Sequence, residues 1–112
     1  MDEWLVRGGR RRLMRIVSGP AGAAASAARA LANGAPLSGE LIPAECDLGD
    51  LGSVRRFAAS AAGAAPLDAL VLNAGVQYSG DNDVRRTADG FEITVGANHL
   101  GHFLLTELRR PR

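Results

Sequence analysis

Apolar residues fall along this chain in short blocks whose spacing switches between strand-like and helix-like periods. Leu13-Met-Arg-Ile-Val17 reads as a short strand, broken by Ser18-Gly19-Pro20. Ala21 to Ala32 is Ala-rich and carries Arg29 and Leu31, a composition of high helix propensity. Asn33-Gly34 then supplies residues that tolerate a left-handed turn. Leu41-Ile-Pro-Ala-Glu-Cys46 predicts a second strand, with Pro43 suited to a sheet edge. Asp50 is placed to cap a helix running to about Ala62. Gly63 to Pro66 turns the chain into a strand over 68–73. Its Ala69-Leu-Val-Leu72 run is apolar without alternation, as in a parallel strand buried on both faces. Val76 to Arg86 is rich in Gly, Asp and Asn and predicts a loop. Asp89-x-x-Glu92 is a capping-box-like start for a helix running to about Arg109. Pro111 prevents its continuation, and Arg109, Arg110 and Arg112 complement its dipole.

Strands alternating with helices over 112 residues imply one α/β domain at most. Residues 1–12 are expected to be a poorly ordered basic segment, and 13–112 the domain. The run Arg7-Gly-Gly-Arg-Arg-Arg12 lacks periodicity and reads as a solvated terminus. The competing reading is phosphate contact, as Arg/Gly segments make in nucleic-acid binders. A net charge of +1 argues for no partner, so neither nucleic acid nor membrane is expected. The single Cys46 excludes an internal disulfide and fits a reducing, cytoplasmic compartment. No apolar stretch approaches membrane-spanning length, and Asp2 and Glu3 argue against a secretory signal.

Candidate chemistry gathers at two places. Strand 68–73 ends in Asn73-Ala74-Gly75, at the carboxyl end where open α/β sheets bind ligands. Gly75 has no Cβ and permits a close approach to its backbone. The stretch Ala97 to Thr106 puts Asn98, His99 and His102 on a helix, and asparagine is a poor helix-interior residue. The histidines have the spacing to share a metal but no clustered third ligand, so no metal is expected. Asp81, Asp83 and Asp89 lack the pattern of a calcium loop.

Four strings together resemble the short-chain dehydrogenase/reductase family. They are Cys46-Asp47-Leu48 with Ser53-Val54-Arg55, Leu67 to Gly75, Asp89-Gly90-Phe91-Glu92, and Asn98 to Thr106. The nearest flavour is the branch of retinol dehydrogenases and protochlorophyllide reductases, and the likeness runs from about Glu40 to Thr106. The family's domain is about twice as long, so the chain resembles its middle. The resemblance implies an α/β, partial Rossmann-type three-layer fold with a short parallel sheet of about three strands flanked by helices. In the doubly wound order the strand at 68–73 would lack its native neighbour, leaving backbone groups unpaired. Closing the gap predicts the order 41–46, 13–17, 68–73, with helices 21–32, 51–62 and 91–109.

The resemblance also implies NAD or NADP as cofactor and a small-molecule carbonyl or alcohol as substrate of the intact relative. Asp47 would accept from the adenine amino group, and the Leu48 backbone would face the adenine ring. Asn73, Ala74 and Gly75 would line the ribose next to nicotinamide, and Asn98 would be the catalytic position, holding a relay water. Residues 13–33 admit two registrations. In one they are the family's second strand and helix, and Ser18 takes the position that chooses between NAD and NADP. In the other, Ser18-Gly19 opens a degenerate phosphate loop in which Ala23 and Ala25 replace two glycines. Either way the dinucleotide fingerprint is not intact. The chain has no Lys, so it cannot contain the family's Tyr-x-x-x-Lys pair, and its one tyrosine, Tyr78, sits in a loop. Alone it is expected to be inactive. The alternative is a non-catalytic interaction or dimerisation module, a homo-oligomer formed through the 91–109 helix with Leu100, Phe103 and Leu104 exposed.

Overall fold

The connection between Arg7 and Arg12 is too short for a parallel crossover, and it decides the centre of the sheet. The computed structural model describes residues 2–7, 12–18, 29, 33, 39–60, 66–67, 69–80 and 82–110. Strand β1 (Asp2–Arg7) returns on itself to pair antiparallel with β2 (Arg12–Ser18), Asp2 opposite Ser18 and Arg7 opposite Leu13. Strand β3 (Gly39–Glu45) pairs parallel with β2, from Arg12 opposite Gly39 to Ser18 opposite Glu45. Strand β4 (Ala69–Val71) pairs antiparallel with the other side of β1, Trp4 opposite Val71. Among the described residues the sheet is therefore four-stranded and mixed, in the order β3-β2-β1-β4.

Two expectations need correction here. Residues 2–7 are a strand, where a poorly ordered terminus was expected. The three-strand parallel order 41–46, 13–17, 68–73 is also not what forms. β3 and β2 are parallel neighbours as expected, but β1 separates β2 from β4. The gap beside β4 is filled rather than closed, because pairing a hairpin arm costs little loop entropy and satisfies both neighbours' backbone groups. β2 thus stands where a second strand stands in the doubly wound order, with a reversed strand in the first position.

Helix α1 (Leu51–Ala59) starts where expected: the Asp50 carboxylate accepts from the Gly52 N–H at 2.9 Å and pairs with Arg56 at 3.3 Å. Replacing Asp50 with Ala should cost about 1 kcal/mol, read as a lower urea midpoint. The helix stops at Ala59, short of Ala62. The Ser60 hydroxyl donates to the Phe57 carbonyl at 2.7 Å, and a serine that bonds its own backbone competes with helix continuation. Val54 and Phe57, one turn apart, are its buried residues. Arg29 and Asn33 are helical and exposed; the rest of the helix expected at 21–32 lies outside the described residues.

The last helical stretch has three segments: α2 (Ile93–Val95), a wider π turn (Gly96–Gly101) and α3 (His102–Arg109). Glu92 caps it, accepting from the N–H groups of Thr94 and Val95, both at 3.0 Å. Those donors hold the Glu92 carboxyl below its ordinary value of 4.5, Thr94 contributing most and Val95 next. A lowered folded-state pKa contributes stability that is present above the ordinary value and lost as pH falls through the lowered one. Glu92→Gln should remove that acid-side slope from a plot of denaturation midpoint against pH. Asp89 does not complete a capping box; its carboxylate accepts from the Leu51 N–H of α1 at 2.8 Å. With Ala88 N–H bonded to the Gly49 carbonyl at 3.0 Å, the 87–90 turn is fastened to the start of α1. Gly90 sits at φ 87°, which favours glycine.

The core contains Cys46, Leu48, Val54, Phe57, Ala74, Ala97 and Leu105. Ala97, Gly101 and Leu105 recur every fourth residue and face it. Gly101 lies against the Leu48 carbonyl, so the π turn rests directly on the turn that follows β3. β4 is not buried on both faces as expected. Leu70 packs against the core, but Val71 and Leu72 are exposed, since β4 ends the described sheet with β1 as its one neighbour there.

Candidate functional site

The carboxyl ends of β2, β3 and β4 lie along one rim of the sheet, at Ser18, at Glu45 leading to Cys46 and Asp47, and at Val71 leading to Asn73–Gly75. The π turn brings Asn98 to the last of these. Its side-chain Oδ1 accepts from the Val76 N–H at 2.8 Å, and its Nδ2 donates to the Val76 carbonyl at 2.8 Å. One amide therefore satisfies both backbone groups of one residue, much as a neighbouring strand would. This is a positioning role: Asn98 fixes where the chain after Gly75 runs.

Gly75, Val76, Gln77, Thr94 and Asn98 line an open cavity of about 510 Å³. Among the described residues its lining is uncharged, with the Gln77 amide and the Thr94 hydroxyl as its side-chain polar groups besides Asn98. Gly75 is exposed at its mouth. A Cβ there would come no nearer than 3.7 Å to Asn98, an ordinary contact, and its φ is not positive. Among the described residues, nothing crowds a side chain at position 75. Ala74 is buried and Asn73 exposed.

The other expected residues are more scattered. Asp47 is exposed, but one oxygen already accepts from the Gly49 N–H at 2.8 Å, closing an Asx turn. Its own N–H donates to Ser53 Oγ at 2.9 Å. The Leu48 side chain is 1% exposed, and its carbonyl faces Gly101. Ser18 ends β2 between Asp2 and Glu45. Asn98 and Gly75 are thus brought together, whereas Asp47 and Ser18 belong to other strands of the rim.

His102 Nδ1 donates to the Asn98 carbonyl at 2.9 Å, so that nitrogen carries a proton. His99 is exposed, its ring 6.4 Å from that of Phe103. Among the described residues no group of three or more His, Cys, Asp or Glu could hold a metal. The Arg85 guanidinium lies 4.3 Å from the centroid of Tyr78, a cation–π contact on the loop. Among the described residues no helix is long and apolar enough to cross a membrane.

Sequence reasoning missed Val76, Gln77 and Thr94 as cavity walls. An asparagine inside a helix was the one signal available, and it pointed to Asn98 without naming its partner. The His102 contact was legible only as a histidine four residues after it.

No family model matches the chain. Part of it is 56% identical over 63 residues to the chloroplastic protochlorophyllide reductase of Chlamydomonas reinhardtii, covering 55% of this chain and 16% of that protein. Retinol dehydrogenase 14 of Homo sapiens is 49% identical over 71 residues, covering 62% of this chain and 20% of that protein. The chain therefore matches a fifth or less of the length of these relatives. A crystallised, uncharacterized protein from Mycobacterium Paratuberculosis shares 31% identity and superposes with a TM-score of 0.61, over 93% of this chain and 43% of that one.

Proposed function

We propose that this chain, a partial short-chain dehydrogenase/reductase, carries one rim of an NAD(P)-dependent oxidoreductase and is inactive by itself. The intact relative would act on a carbonyl/alcohol pair, with NAD or NADP supplying the hydride chemistry when bound. The observation that carries the reading is the pairing of Asn98 with the backbone just after Asn73-Ala74-Gly75. It fixes an uncharged cavity beside a bare glycine at the carboxyl end of a strand. What argues for inactivity is the proton chemistry. The chain has no Lys, and its one tyrosine stands on a loop beneath Arg85 rather than on a helix facing the cavity. Asn98 has both ends of its amide engaged, so it can position but not transfer a proton. We place the chain in a reducing, cytoplasmic compartment on its single cysteine, a buried thiol. Purified protein incubated with NADH or NADPH and a panel of aldehydes and ketones should give no turnover. Measurable oxidation of either cofactor coupled to carbonyl loss would overturn the proposal.

A second reading, a self-associating module, is favoured by Val95 and Phe103, which are 52% and 59% exposed. Leu100 and Leu104, grouped with Phe103 in that expectation, are half-buried, and Leu104 packs against the core. Under this reading the sedimentation coefficient rises with concentration, and Phe103→Ser abolishes the rise; a concentration-independent monomer counts against it.

A further inference from the structure

In an open α/β sheet a dinucleotide lies outside the carboxyl ends of the strands, at the point where strand order reverses. Its pyrophosphate is held by N–H groups at the start of a helix, and that helix follows a strand ending at the same rim. The slot between β2 and β4 is where such a strand would stand. Here it is filled by β1, antiparallel to both neighbours. β1 begins at the ligand rim, with Asp2 opposite Ser18, and leaves the slot at the opposite rim through Arg7.

We propose, on the reading that this chain is part of an NAD(P)-dependent reductase, that its N-terminal strand closes the rim to a dinucleotide by occupying the phosphate-gripping slot in reverse. A strand that starts at the rim cannot turn into a helix there, so the slot provides no helix N-terminus to meet a pyrophosphate. Charge works in the same direction. Asp2 and Glu3 stand at the rim end of β1, Glu45 lies on the same row across Ser18, and Asp47 is exposed just beyond it. Asp2 and Glu45 are separated by two strand spacings, roughly 10 Å. Arg7 and Arg12 stand at the far ends of β1 and β2, and Arg15 lies midway along β2. A dianionic bridge would lie over a rim whose sequence is acidic at Asp2, Glu3 and Glu45. The direction of β1 is imposed locally: residues 8–11 cannot make the dozen-residue crossover that a parallel partner of β2 requires. The uncharged cavity at Gly75 and Asn98 is left intact by this arrangement, so the disagreement concerns the phosphate half of the cofactor only.

Two measurements on the full chain test the proposal. With Cys46→Ala removing the native thiol, Glu3→Cys with Val17→Cys places two thiols at directly opposed positions of the hairpin. Oxidation should form an intramolecular disulfide in that variant and not in Glu3→Cys with Leu13→Cys, which a parallel β1 would bring together. Titration of the unmodified chain with NADPH and NADH, followed by nicotinamide fluorescence and by equilibrium dialysis, should show no saturation up to about 1 mM, the upper end of ordinary enzyme affinities. Saturable binding below that concentration, or the opposite pattern of disulfides, would sink the proposal. Binding without turnover would sink it while leaving the proposed inactive reductase fragment standing; turnover would sink both.

Discussion

Gly101→Ala should cost about 3 kcal/mol, at the upper end of what overpacking a core usually costs. A Cβ at 101 would run into the Leu48 carbonyl oxygen, with the Leu48 Cβ at 3.0 Å and its carbonyl carbon at 3.1 Å. These are backbone or backbone-proximal atoms of a fully buried residue, so no side-chain rotation relieves the clash. The helical stretch must back away, and Ala97 and Leu105, both 0% exposed, move with it. Small domains are stable by roughly 5–15 kcal/mol in total, so a loss of this size is a large share. Gly52→Ala is the natural comparison. Its Cβ would meet only Asp50 Oδ1 at 3.0 Å and an Arg56 nitrogen at 3.2 Å, the ends of side chains that can shift. Urea unfolding of the two variants should separate them by at least about 2 kcal/mol. Equal midpoints would mean that the π turn does not rest on the turn after β3.

Asn98→Leu removes both bonds to Val76 while keeping much of the side chain's volume. It leaves an N–H and a carbonyl without their partner in a part-buried place. The expected loss is about 2–3 kcal/mol. Local opening at Val76 should show it first. Amide exchange there should speed up by about 30- to 140-fold, since 1.4 kcal/mol is a factor of ten, while the amides of α1 change little. Asn98→Asp retains an acceptor for the Val76 N–H but turns an oxygen toward its carbonyl, so it should recover only part of the protection. Unchanged exchange at Val76 in the leucine variant would remove the clamp from the description of the site.

Local rules explain which parts were readable in advance. Asp50 at the head of α1 and the long helical stretch to Arg109 follow from capping chemistry and periodicity within a few residues, while the parallel neighbours β2 and β3 were expected from the strand order that the family resemblance implies. Asn98 stood out because asparagine is costly inside a helix. What escaped depends on partners distant in sequence. Asp89 looks like a cap for its own helix, and only folding shows it serving Leu51, 38 residues away. Gly101 carries no local signal at all, as its need for bareness comes from Leu48. The Arg7–Arg12 run hid a strand because glycines and arginines conceal the hairpin that joins Asp2–Arg7 to β2. The missing-neighbour problem beside β4 was visible from strand order; its solution was not, since a residue pattern does not say which segment will take an empty place in a sheet.

The wide turn at Gly96–Gly101 acts as a phase shifter. A regular α-helix advances about 100° per residue, and the looser winding here sets the angle between the short turn of helix at its start and the longer one at its end. Asn98 reaches Val76 from within that turn, and Leu105, seven residues on, reaches the core from the same rod. A π turn is a helix with one residue to spare, so deleting the exposed His99 should let the rod wind regularly and leave Leu105 on its buried face, while shortening the reach from Glu92 to Arg109 by one residue.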